Sequence, residues 1–107
     1  MKALLEYHTK VIEDDGSVIE IKIWRVPASA HAPHGFKYSL VFVKDGKRVV
    51  GYDNERGKGD HRHFWDQEHP YTFKDVETLF RDFQADMTAA KKGRPCVGFQ
   101  FKWTLII

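Results

Sequence analysis

The sequence predicts an α+β fold: an antiparallel β-sheet of five to six strands with one long helix packed on one face. Three observations predict it. Short segments alternate apolar and polar residues between turn signals, first in Ala3, Leu5, Tyr7, Thr9 and Val11, then in Ile19, Ile21 and Ile23. One stretch, residues 73–91, carries apolar residues at helical spacing instead. It follows a run of strands joined by tight turns, the order in which a helix settles on one face of an antiparallel sheet.

The first two apolar sets must face the same side. A two-residue turn at Asp15-Gly16 would set His8 and Lys10 opposite the isoleucines, whereas a three-residue loop, Asp14-Asp15-Gly16, pairs Val11 with Ile19 and Tyr7 with Ile23. A one-residue slip turns every side chain over, so the three-residue loop with Gly16 left-handed is expected. Pro27 ends the second strand, and the stretch PASAHAPHG reads as a connecting loop. A second hairpin places Tyr38, Leu40 and Phe42 on one face and Val41 and Val43 on the other. It turns at Asp45-Gly46 and returns through Val49 and Val50, which sets Phe42 against Val49 and Tyr38 against Asp53.

In the helix, Thr72 and Asp75 form a start resembling a capping box, and Val76, Leu79, Phe80, Phe83, Met87 and Ala90 line one face. Lys91 and Lys92 suit its last turn, Gly93 the cap beyond, and Pro95 prevents continuation. A last strand is expected where Val97, Phe99, Phe101, Trp103, Leu105 and Ile107 alternate with polar residues or glycine. Trp24, Trp65 and Trp103 are read as core residues and Cys96 as a small buried hydrophobe.

The 107 residues suffice for one domain, 1–107, with an ordinary core. With 42% hydrophobic and 30% charged residues, the composition is that of a globular protein and argues against disorder. No signal peptide is visible and a lone cysteine makes no intrachain disulfide, which points to the cytoplasm. No apolar run is long enough for a membrane helix. Lys and Arg outnumber Asp and Glu by 17 to 15, and six histidines add charge near a phosphate, a slight lean toward anionic partners.

Chemistry concentrates in GYDNERGKGDHRH, residues 51–63. If HRHFW continues as a strand, His61 and His63 share one face and Arg62 points to the other. Cleavage of RNA by transesterification needs a base for the 2′-hydroxyl, an acid for the leaving 5′-oxygen and cations for the phosphorane charge. His61 and His63 are the candidates for the first two, and Arg56, Lys58 and Arg62 for the third. Backbone N–H groups at Gly57 and Gly59 can form an anion-binding concavity. Tyr52 can stack a base or carry a proton, and Asp53 can orient a histidine or an arginine. No cofactor or metal is assigned in this reading.

A metal clip is the rival. His61-x-His63 with Glu68 five residues on resembles the first metal motif of the cupin barrels, but the flanking glycines and a second histidine motif are missing. His69 or Asp66 would complete such a site. A finger-type zinc site is excluded by the single cysteine. A third reading is a non-catalytic module that docks a partner protein.

Tyr52-Asp53-Asn54, Arg56-Gly57-x-Gly59 and His61-Arg62-His63 together resemble the central motif of the TumE family of small toxins, over about residues 36–90. The resemblance implies the toxin half of a toxin–antitoxin pair, held in check by a DNA-binding antitoxin protein. It maps Tyr52, Asp53, Asn54, His61, Arg62 and His63 onto the motif, with Asn54 grouped with Arg56 and Lys58 as substrate-binding. Lys58 and Asp60 depart from it, standing where relatives commonly have histidine or proline. The amino-terminal hairpin matches nothing in the resemblance. RNA, a cognate antitoxin and a second copy of the chain are the partners this leaves open, and no membrane is among them.

Overall fold

The computed structural model describes residues 4–30, 32–55 and 59–92. Six strands, β1 (Leu4–Ile12), β2 (Val18–Arg25), β3 (Phe36–Lys44), β4 (Lys47–Glu55), β5 (Gly59–Phe64) and β6 (Gln67–Pro70), form one sheet in sequence order. Each neighbour runs antiparallel, and helix α1 (Val76–Lys92) covers one face. This is the expected α+β architecture. The expected strand at 97–107, with Gly93, Pro95, Cys96 and Trp103, lies outside the described residues.

Alternation in each strand sorts the chain into two faces. Ile23, Tyr38, Leu40, Phe42, Val50 and Tyr52 meet Leu79, Phe83, Met87 and Ala90 of the helix in a continuous buried core. Burying a side chain such as Phe83 stabilises the fold by about 1.5–3 kcal/mol. The other face of the sheet is not covered by any described element.

The first hairpin has the expected register, Val11 opposite Ile19 and Tyr7 opposite Ile23. The Glu13 carbonyl accepts from Gly16 N–H at 2.9 Å, Glu13 N–H donates to Ser17 O at 2.8 Å, and Gly16 is left-handed at φ 89°. Only glycine adopts that conformation without strain. Lys91 Nζ, 3.0 Å from Glu13 Oε2, ties the helix end to this hairpin.

The second hairpin turns at Asp45-Gly46 as expected, with both residues at positive φ. Beyond the turn its register departs from expectation: Val43 pairs with Arg48, but Phe42 pairs with Val50. Val49 is the extra residue of a β-bulge, and every later pair moves by one. Ser39 rather than Tyr38 therefore faces Asp53. Val49 and Val50 are both buried, so the change of side at the bulge costs no apolar burial.

The helix begins three residues later than its pattern suggests. Asp75 is itself the cap, accepting from Thr78 N–H at 2.7 Å, and this bond holds its carboxyl below the ordinary carboxylate range. Phe73 stays outside the helix and packs tilted against the His34 ring, centroids 4.1 Å apart, among Phe36 and Tyr38. The reading of the tryptophans as core does not hold for Trp65, which is 43% exposed at the β5–β6 turn. Nor does it hold for Trp24, which lines a cleft on the open face.

Candidate functional site

The tight β4–β5 hairpin sets Asp53 directly opposite His61 and Gly51 opposite His63. Those residues share the face away from the helix, while Tyr52 and Arg62, also opposite one another, point toward it. The β5–β6 pairing adds Glu68, opposite His63, to the open face.

His61 is almost wholly buried, and its Nδ1 lies 3.0 Å from the Gly59 carbonyl. A carbonyl can only accept, so Nδ1 carries a proton and Nε2 is the nitrogen left facing the carboxylates. That nitrogen sits 2.7 Å from Asp53 Oδ1 and 3.5 Å from Glu68 Oε2. Asp53 Oδ1 is buried and off the line of a hydrogen bond from the ring, and the contact is an ion pair whenever His61 is protonated. The His63 ring stands edge-on to that of His61, with centroids 5.0 Å apart. Burial, followed by the charge of Arg48, lowers the His63 pKa below that of an ordinary imidazole.

Arg48 is the cation that sequence reasoning missed. Straight alternation would put it on the helix face with Val50 and Tyr52, but the bulge at Val49 turns it to the open face opposite Val43. Its side chain then crosses Gly51. A Cβ at Gly51 would come within 3.0 Å of Arg48 Cδ and 3.3 Å of Nε, so glycine leaves the lane along which the guanidinium approaches His63. The one signal in the sequence is a glycine inside a strand, which often marks a bulge or a close approach.

The remaining candidates are placed elsewhere. Tyr52 is buried and donates from its hydroxyl to Asp86 Oδ2 at 2.6 Å; burial, then Asp86, raises its pKa. Arg62 reaches the same oxygen through Nε at 3.0 Å and Nη2 at 2.8 Å. Burial opposes the Arg62 charge, but the bonds to Asp86 prevail and its pKa is raised. Asn54 is buried on the helix face, where its Oδ1 accepts from Tyr38 N–H at 3.0 Å and its Nδ2 donates to Phe36 O at 2.8 Å. Asp60 orients His34, not His61 or His63: its Oδ2 accepts from Tyr38 Oη at 2.6 Å and from His34 Nε2 at 2.9 Å. Phe36 N–H, donating to His34 Nδ1, fixes that tautomer. His69 pairs with Arg62 on the helix side and Asp66 lies in the turn, so neither joins the pair of histidines. Arg56, Gly57 and Lys58 lie outside the described residues.

Next to Asp53 on the open face is a cleft of about 310 Å³ lined by Lys22, Trp24, Lys37 and Ser39. Trp24 and Lys37 are cross-strand partners, so an aromatic face and an ammonium stand side by side. The arrangement can exchange protons at His63, hold positive charge at Arg48, and gather ligands at Asp53, His61 and Glu68.

No helix among the described residues is long and apolar enough to cross a membrane. No curated protein and no solved structure matches the chain. A family model described as Toxin TumE matches residues 2–91, taking in all six strands and the helix up to its last residue. The match extends beyond the motif region into the amino-terminal hairpin, which thus belongs to the family domain. The chain belongs to the TumE toxin family.

Proposed function

We propose that this chain arrests growth by cleaving RNA, and that Asp53, His61, His63 and Arg48 on the open sheet face are the site at which it does so. A toxin-like role in a toxin–antitoxin system, with an antitoxin as partner, follows from the family. RNA as the target is the reading that the chemistry of the face favours. One observation carries it: the uncovered face gathers two imidazoles, a carboxylate and a guanidinium, whereas Tyr52 and Arg62 are held by Asp86 on the other side.

Each side chain has a part in a transesterification. His63, kept neutral near pH 7 by burial and Arg48, takes the proton from the 2′-hydroxyl. His61, when it carries a second proton on Nε2, delivers it to the leaving 5′-oxygen, and Asp53 beside that nitrogen steadies the cationic ring. Arg48 balances the charge that grows on the phosphorane oxygens. With ring centroids 5.0 Å apart, both imidazoles can reach one phosphodiester. The cleft beyond Asp53 offers Trp24 for a stacked base and Lys22 and Lys37 for flanking phosphates.

The test is incubation of the purified, chelator-treated protein with a single-stranded RNA, followed by mapping of the cut ends. Products ending in a 2′,3′-cyclic phosphate that disappear with His63→Ala are expected. Intact RNA at every protein concentration would overturn the reading.

A further inference from the structure

We propose that Asp53, His61 and His63 form a binding site for a divalent transition metal ion of the zinc class, with Glu68 as a fourth ligand. The ligand atoms of the first three residues all lie within 4.8 Å of one another. Zinc holds imidazole nitrogen and carboxylate oxygen at about 2.0–2.2 Å, which sets donors around one ion about 3–4 Å apart. Closing the set around one ion needs the partly exposed His63 ring to move inward and the Asp53 carboxylate to draw back slightly from His61 Nε2, now 2.7 Å away.

The orientation of the His61 ring is a second geometric argument. The Gly59 carbonyl accepts from Nδ1–H, which leaves Nε2 turned to the open face, 2.7 Å from the buried Asp53 Oδ1 and 3.5 Å from Glu68 Oε2, between two carboxylates. A nitrogen between two carboxylates calls for a cation, which is either a proton on Nε2 or a metal ion in its place. A metal ion meets that need while the ring stays neutral. The carbonyl that orients the ring from behind is the usual companion of a metal-bound histidine. Glu68 Oε2, 3.5 Å from the same Nε2, brings a second carboxylate from the neighbouring strand, and its half-exposed side chain can swing inward.

The donor set names the class of ion. Two imidazoles with carboxylates suit zinc and its first-row neighbours, whereas magnesium and calcium prefer sites built of oxygen. The consequence rests on the reading of these residues as the cleavage site: the ion takes the nitrogens that would exchange protons, so the filled site is silent and the stripped site is active.

Cobalt(II) and zinc titrations of the untagged protein, stripped with chelator and desalted, test the site. Cobalt is followed by its visible d–d absorption and zinc by calorimetry and melting temperature. One ion per chain, a raised melting temperature, and at least a tenfold loss of affinity in Asp53→Asn and His63→Ala are expected. Those two variants are chosen because His61 is buried and its removal threatens the fold. Absence of saturable binding, or undiminished affinity in both variants, would overturn the site. RNA cleavage assayed in parallel separates the two proposals. Cleavage by the stripped protein that zinc abolishes supports both, and metal binding without cleavage in either form keeps the site while removing the nuclease. Cleavage that zinc leaves unchanged, or that requires zinc, overturns the silencing role.

Discussion

Asn54 lies in the stretch that resembles the family's central motif, yet its amide is taken up by the backbone. Its Oδ1 accepts from Tyr38 N–H and its Nδ2 donates to Phe36 O, continuing the β3–β4 ladder beyond the Ser39–Asp53 pair. Asn54→Ala removes both partners. An orphaned buried amide or carbonyl costs about 1–3 kcal/mol, and water can reach only the Phe36 side, so the variant should lose about 2–4 kcal/mol. For a domain of this size that lowers the melting temperature by roughly 10–20 °C. Asn54→Asp keeps the acceptor for Tyr38 but turns an oxygen toward Phe36 O, so it should recover stability as pH falls and its carboxyl gains a proton to donate. Thermal melts at several pH values read both effects, alongside cleavage per folded molecule at low temperature. An unchanged melting temperature with cleavage lost would refute the structural role and return Asn54 to the substrate.

Three further outcomes are expected. Gly51→Ala should fold, because its new Cβ meets only the flexible Arg48 side chain, but it pushes the guanidinium aside; in chelated protein the His63 titration followed by NMR should move up and cleavage should fall. Asp86→Asn leaves Arg62 and the Tyr52 hydroxyl without their shared carboxylate, which should cost about 1–3 kcal/mol in a denaturant melt yet leave zinc affinity as it was. Because its amide cap keeps Asp75 below its ordinary value of 3.8, the cap adds stability that is fully present above that value and is lost as pH falls through the folded pKa. Amide protection factors at Thr78 and Leu79, taken relative to the intrinsic exchange rate at each pH, should fall on acidification, and less so in Asp75→Asn.

Much of this architecture is legible in the sequence, and the gaps have physical causes. The register of the first hairpin follows from parity alone, since only one loop length brings Tyr7 and Val11 to the side of Ile19 and Ile23. The same argument slips by one in the second hairpin. Val49 and Val50 are apolar and adjacent, so the pattern does not reveal which one the bulge leaves over. That slip hides the cation of the site, because Arg48 reaches the open face only through the bulge. Alternation places His61 and His63 together and Arg62 apart, and the short β4–β5 hairpin supplies Asp53. It cannot reveal that Arg62 and Tyr52 converge on Asp86, a contact between residues 24 and 34 positions apart that depends on how the helix lies on the sheet. The nearness of Glu68 to His61 is visible in sequence as spacing, whereas the orientation of the His61 ring depends on the Gly59 carbonyl.

The central claim is that the open face of the sheet does the work and the helix face only holds it in place. The most direct measurement is growth after induced expression, without the antitoxin, of four variants brought to equal folded abundance: Asp53→Asn, His63→Ala, Tyr52→Phe and Asp86→Asn. Relief of arrest by the first two, with arrest persisting in the last two, is predicted. Arrest by Asp53→Asn and His63→Ala at full strength, or relief confined to the helix-face pair, would contradict it.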